Sequence, residues 1–135
     1  MLKLIIGVKG TGKTKTLISM VNEAVDASHG DVVCIEKGTK LRFDIKYQAR
    51  LINTEEYYID DAQSLGGFIA GILASNHDVT DLFVDSALKI CKNNVADFEK
   101  MLTTLDKLLE NQSAKVVMTA SLPAEEATDV IKKYL

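Results

Sequence analysis

Apolar residues recur along the chain with two different periods, and these periods predict a series of strands and helices. Short apolar runs rich in β-branched residues predict four buried strands. These strands are Leu2–Ile6, 32–36 ("VVCIE"), 81–86 ("DLFVDS") and 115–121 ("KVVMTAS"). Apolar residues at helical spacing predict helices over about 13–27, from a cap at Asp60 or Asp61 to about 75, and over about 94–111. Alternating strands and helices favour an α/β fold, a three-layer mainly parallel sheet with helices on both faces.

Two segments have less regular patterns. Residues 41–48 alternate strictly between apolar and polar, which predicts an edge strand with one face in water. The following "ARLIN" (49–53) is either the return arm of an edge hairpin or an inner strand. Pro123 is expected to open a last helix that buries one apolar face. Glycines in the helix before residue 75 are expected to let another element approach closely.

Composition limits the classes of protein to consider. The 135 residues, 47% of them hydrophobic, predict one domain over 1–135. The net charge of −3 gives no general attraction to nucleic acid or membrane, so neither is expected as a partner, although a local basic site stays open. Two cysteines without metal-binding spacing and the lack of an apolar span or signal core predict a cytoplasmic protein without a membrane span.

A glycine-rich octet follows the first predicted strand and opens the first predicted helix. It reads Gly7-Val8-Lys9-Gly10-Thr11-Gly12-Lys13-Thr14 and matches G-x-x-x-x-G-K-[ST]. Glycines let a loop wrap around phosphate so that main-chain N–H groups and the helix N-terminus face the anion. The predicted nucleotide-binding residues are Gly7, Lys9, Gly10, Thr11, Gly12, Lys13, Thr14 and Lys15. The alternative is a flexible turn without a ligand.

On these residues the chain resembles the P-loop NTPase superfamily. The resemblance implies the P-loop NTPase fold, ATP and Mg²⁺ as ligands, Lys13 as a catalytic residue that bridges phosphates, and Thr14 as a metal ligand. It also implies an acid at the end of a buried strand, which Asp85 supplies as the second metal residue. Asp85 could instead cap the segment that follows it.

Within the superfamily the chain is similar to RecA-like ATPases, because Ser86 rather than glutamate follows Asp85. The similarity implies that Glu36, at the end of another strand, orients the attacking water as a catalytic residue. The alternative is a solvated charge. Thr119 or Ser121 would sense the γ-phosphate, unless Ser121 caps the last helix. Twitching-motility ATPases carry a domain before their P-loop, for which no room is left before Gly7, so that motor function is not expected.

These residues predict a slow ATPase. No N-K-x-D motif selects guanine, so ATP is favoured over GTP. Arg42 and Arg50 are the only arginines, and a homo-oligomer or a protein partner could supply an arginine to the phosphates. A nucleotide-binding module that switches partners without hydrolysis is the alternative. A small-molecule kinase is a third candidate and would need residues 42–61 as its lid.

Overall fold

Five parallel strands form the sheet of the protein. The computed structural model describes residues 1–135. The strands are β1 (Leu2–Gly7), β2 (Asp31–Glu36), β3 (Arg50–Asn53), β4 (Val79–Val84) and β5 (Lys115–Ser121). The α-helices are α1 (Lys13–Ala27), α2 (Ala62–Ser75), α3 (Ala87–Ile90), α4 (Val95–Leu109) and α5 (Asp129–Lys132). Two 3₁₀ helices cover Thr54–Tyr57 and Ala124–Glu126. None of the helices combines the length and the apolar character that a membrane span requires.

The strand order is β1-β5-β4-β2-β3, and every pairing is parallel. Because parallel strands all finish at one edge, the residues that follow β1, β2 and β4 lie along the same side of the sheet. Strands β1 and β3 are the two outer strands, four spacings or about 19 Å apart. The predicted α/β class is confirmed. Residues 49–53 form neither a hairpin arm nor an inner strand, because 41–48 is not a strand and β3 pairs parallel to β2 at the outer edge.

Each face of the sheet has its own apolar core. Helix α1 and residues 37–49 cover one face, where Leu17 and Val21 pack against Cys34 and Phe83 of the sheet. Helices α2, α4 and α5 cover the other face and form a larger core. Both cysteines are buried as free thiols. The sheet is therefore enclosed on both sides.

The predicted strand over 41–48 is wrong, since the segment forms turns. Leu41, Ile45 and Ala49 are buried at a spacing of four, while Phe43 and Tyr47 are 86% and 91% exposed. The N–H of Ile45 donates to the Leu41 carbonyl, as in a helical turn. The alternation of apolar and polar residues predicted a strand wrongly because two of the four apolar residues face water.

The C-terminal helix is shorter than predicted. Pro123 precedes the 3₁₀ helix, and α5 begins only at Asp129, where the Thr128 side chain caps it by accepting the N–H of Ile131. Ile131 and Tyr134 are buried as predicted. Ser121 lies in β5 and caps no helix.

Close helix packing at a glycine confirms one further expectation. A Cβ on Gly66 of α2 would lie 3.1 Å from Cγ of Met101 in α4, so the glycine allows the two helices to approach. Gly67 and Gly71 face open space.

Candidate functional site

The loop at the carboxyl end of β1, residues 7–12, has the backbone of a tight turn; we call it the glycine-rich loop. Gly10 and Gly12 have φ values of 86° and 84°, a left-handed region that favours glycine. A Cβ on Gly7 would lie 2.8 Å from the Thr11 hydroxyl oxygen, so the loop folds closely over its own start. The Gly7 carbonyl accepts the N–H of Leu122, which fixes the loop to the end of β5.

The side chains of the glycine-rich loop converge on one carbonyl. Lys13 Nζ donates to the Val8 carbonyl at 2.8 Å, and Thr11 Oγ1 donates to the same oxygen at 2.7 Å. The Lys13 ammonium is thus directed back across the loop and not toward bulk solvent. Lys9 and Lys15 are exposed beside it. The loop therefore gathers positive charge around a short stretch of main chain.

Helix α1 begins without the groups that usually stabilise a helix N-terminus. Gly12 occupies its N-cap, no side chain caps it, and its first turn contains no acid. By contrast, α2 is capped by Asp61 and α4 by Asn94, each through a side-chain oxygen. Lys13 and Lys15 even add positive charge where the helix dipole is positive, which is unfavourable unless an anion binds there.

Three side chains from three elements meet at Asp85, immediately after β4. Thr14 Oγ1, in the first turn of α1, donates to Asp85 Oδ1 at 3.0 Å, and Thr119 Oγ1 in β5 donates to the same oxygen at 2.9 Å. Ser86 Oγ donates to the other carboxylate oxygen at 3.3 Å. Strand β4 lies two spacings from β1, about 10 Å. The glycine-rich loop and α1 therefore cross β5 to bring Thr14 to the carboxylate.

The main chain turns sharply at this carboxylate. Ser86 adopts a left-handed conformation with φ 54° and ψ 48°, which is rare for a residue with a Cβ and costs of order 1 kcal/mol or more. In this conformation its N–H donates to Thr119 Oγ1 at 2.8 Å. Strained backbone of this kind persists where the surroundings hold it, and here it places Asp85 and Thr119 side by side.

Glu36 lies at the end of β2 but is turned toward the main chain of the following loop. It is only 3% exposed, and its carboxylate accepts the N–H groups of Lys40 and Leu41 at 3.0 to 3.3 Å. Burial raises the pKa of Glu36 and the charge of Asp85 raises it further, against the lowering effect of the two N–H groups. Glu36 thus closes a loop, and both of its oxygens are engaged.

Of the remaining predicted residues, the structure brings Thr119 to Asp85 and leaves Ser121 and Arg50 apart from this cluster. Thr119 is buried, and its hydroxyl is used by Ser86 and Asp85, whereas Ser121 is exposed at the end of β5. Arg50 begins β3, on the opposite outer strand from β1, about 19 Å across the sheet. Its guanidinium donates to the Leu51 carbonyl and the Tyr57 hydroxyl. It cannot reach the glycine-rich loop of its own chain.

Sequence reasoning did not foresee that Thr119 would join Asp85 to β5. The available signal was one hydroxyl within the otherwise apolar run "KVVMTA". A buried hydroxyl needs a partner, and the nearest strand end with a carboxylate supplies it. The main-chain acceptor at Val8 has no sequence signal at all.

The protein by itself supplies few side chains that could bind a metal ion. No group of three or more His, Cys, Asp or Glu side chains is positioned to hold an ion. Mg²⁺ usually takes one or two protein ligands and completes its shell with water and phosphate oxygens. Two octahedral ligands at about 2.1 Å from the ion are about 3 Å apart. The 3.0 Å between Thr14 Oγ1 and Asp85 Oδ1 fits such a pair.

Comparison with known proteins provides no assignment: no protein-family model matches the chain, and no curated protein matches it. A cavity of about 370 Å³ between α2 and α4 contains none of the predicted site residues. The groups gathered at the carboxyl edge of the sheet therefore form the candidate functional site.

Proposed function

We propose that the protein binds Mg²⁺ and ATP at the glycine-rich loop as a P-loop protein, and that it hydrolyses ATP slowly. The observation that carries this proposal is the N-terminus of α1. It has no cap and no acid, it carries Lys13 and Lys15, and it follows two glycines in left-handed conformation. A bound phosphate chain would satisfy the free N–H groups and the surplus positive charge together.

Each residue then has a defined task. The main chain of residues 7–12 and the N-terminus of α1 would hold the phosphates, and the Lys13 ammonium, which now donates to the Val8 carbonyl, would supply positive charge to them. Thr14 and Asp85 would hold Mg²⁺, which supplies further neutralisation of phosphate charge. Thr119 keeps the Asp85 carboxylate oriented toward Thr14.

Slow hydrolysis follows from the positions of the other charged groups. Glu36 could orient water only after releasing the N–H groups of Lys40 and Leu41. An arginine for the transition state would have to come from another subunit or a partner, because Arg50 begins the outer strand farthest from β1 and the Arg42 guanidinium lies over the Phe43 ring. A strong barrier to turnover without a partner is therefore expected.

Titration calorimetry with ATP, ADP and GTP, each with and without Mg²⁺, tests the binding. We expect binding of ATP and ADP, and loss of at least about tenfold in affinity for Lys13→Ala, because a charge-assisted contact to phosphate is removed. Asp85→Asn should remove the Mg²⁺ dependence. Lys133→Ala, an exposed cation near the C-terminus, is the matched control and should bind like the wild type. Absence of ATP binding at millimolar concentration would refute the proposal.

The second candidate is a nucleotide-binding module without turnover, and the engaged carboxylate of Glu36 favours it. In this case ATP raises the melting temperature through preferential binding to the folded state, while phosphate release stays at background. Phosphate release abolished by Lys13→Ala would instead establish the ATPase. The kinase has no comparable support, since residues 42–61 form turns, β3 and a 3₁₀ helix at the outer strand opposite β1.

A further inference from the structure

A positively charged and aromatic surface lies on the segment between β2 and β3, on the face of the sheet that α1 also covers. Residues 37–50 contain five cations and one acid, in a chain with a net charge of −3. The same stretch includes Phe43 and Tyr47, which are 86% and 91% exposed. We define the basic aromatic surface as Arg42, Phe43, Lys46, Tyr47 and Arg50. Both arginines of the chain belong to it.

The charges of this surface are largely available. The molecule has two salt bridges, Lys46 with Asp26 and Lys92 with Asp60, so neither arginine has an acidic partner. The Arg42 guanidinium lies 4.8 Å from the centre of the Phe43 ring and covers one face of it. An open depression of about 400 Å³ runs from Arg42 to Arg50, and no acid lines it.

The segment that carries this surface is held in place by the sheet and by α1. Leu41, Ile45 and Ala49 are buried against the sheet and α1. Asn22 of α1 donates to the Asp44 carbonyl and accepts the N–H of Lys46. A fixed segment loses little entropy when it binds a ligand, so the exposed rings and arginines are already arranged for contact.

We propose that the basic aromatic surface binds single-stranded nucleic acid, with phosphates at Arg42 and Arg50 and bases stacked on Phe43 and Tyr47. A single strand offers phosphates to the arginines and free base faces to the aromatic rings, so it contacts both kinds of side chain on this surface. A duplex keeps its bases stacked and offers mainly phosphate. An acidic peptide would use the cations and leave the two rings exposed. The overall charge does not predict this site, because the acids that outweigh it lie elsewhere in the chain.

Fluorescence anisotropy with labelled DNA and RNA strands of about 20 nucleotides, at about 50 mM salt, tests the proposal. Arg42→Gln with Arg50→Gln should weaken binding at least about tenfold. The same pair should reduce the slope of log affinity against log salt by about 1.4, or about 0.7 for each phosphate that the protein no longer neutralises. Phe43→Ala with Tyr47→Ala should weaken binding at least about fivefold without changing that slope.

Matched controls separate this surface from general charge and aromatic effects. Lys132→Gln with Lys133→Gln removes the same charge from an exposed segment elsewhere, and Tyr58→Ala removes a ring that is 92% exposed but follows two glutamates. Both controls should bind like the wild type. Lys13→Ala should also retain strand binding, because the basic aromatic surface shares no residue with the glycine-rich loop.

Any of the following results would overturn the proposal. The first is that neither strand binds, and the second is that the surface variants bind like the wild type. The third is that the control variants weaken binding as much as the surface variants do. The fourth is that a duplex binds as tightly as the strands and the ring variants have no effect. Polyglutamate that competes as well as the strands would also overturn it and would indicate an acidic protein partner instead.

Discussion

Thr119→Val removes the hydroxyl that joins Asp85 to β5 while it preserves the shape of the side chain. Thr119 is 1% exposed, so water cannot replace the missing group without rearrangement. Two hydrogen bonds disappear, the donation to Asp85 Oδ1 at 2.9 Å and the acceptance of the Ser86 N–H at 2.8 Å. The left-handed turn at Ser86 then has no side-chain acceptor to hold it.

The expected cost is the sum of these two effects. An N–H left without a partner costs about 1–3 kcal/mol, and a hydrogen bond to a charged group contributes about 1.5–3 kcal/mol. Because Thr14 and Ser86 still donate to Asp85, the lower end of the second range applies. We therefore expect the free energy of unfolding to fall by about 2.5–4.5 kcal/mol. The melting temperature should fall by about 9–16 °C for a chain of this length.

Urea unfolding followed by circular dichroism measures this change. With a slope of about 1–3 kcal/mol per molar, the midpoint should fall by about 1–4 M. Thr103→Val is the matched control, since that exposed hydroxyl bonds only to a carbonyl of its own helix and its removal should change stability by no more than about 0.5 kcal/mol. A decrease below about 1 kcal/mol for Thr119→Val would refute the reasoning.

A double-mutant cycle with Thr14→Val tests whether Asp85 couples the two elements. Both hydroxyls donate to the same carboxylate oxygen, so the effects of removing them should not add. We expect an interaction energy of at least about 0.5 kcal/mol. Strict additivity would mean that α1 and β5 are held independently.

Three further predictions concern the loop, the buried acid and the thiols. Gly12→Ala should reduce stability by about 1–2 kcal/mol because φ at this residue is 84°, and no atom near the new Cβ offers a compensating contact. Gly67→Ala in α2 should instead increase stability by about 0.5–1 kcal/mol. Opposite shifts of the two urea midpoints check this, and shifts of equal sign would contradict it. Since folding raises the pKa of Glu36, the folded state binds more protons between the ordinary and the raised pKa, and stability should decline as pH rises through that window. Glu36→Gln should lack this decline in urea titrations from about pH 4 to 7, and a parallel decline in the variant would assign it to other groups. Burial raises the pKa of both Cys34 and Cys91 to about 12, so a thiol reagent at neutral pH should label two groups only after unfolding. Rapid labelling of the folded protein would show that a thiol is accessible.

Local patterns in the sequence predicted most of the elements. The apolar runs predicted four of the five strands, and helical spacing predicted α1 from residue 13 to residue 27. These predictions succeeded because the patterns of buried strands and long amphipathic helices depend on side chains that are close in sequence. The strand predicted over 41–48 was wrong because turns in which Phe43 and Tyr47 face water can have the same alternation of apolar and polar residues. Only the position of this segment on the sheet face determines which residues are buried.

The sequence by itself determined the α/β class, the glycine-rich loop between β1 and α1, and the acid after β4, since each depends on a few neighbouring residues. Tertiary structure decided the rest. The strand order placed β5 between β1 and β4, which brought Thr119 to Asp85 and Thr14. It also placed Arg50 on the outer strand farthest from β1. These contacts join residues far apart in sequence, and only the packing of the whole sheet determines which distant groups meet.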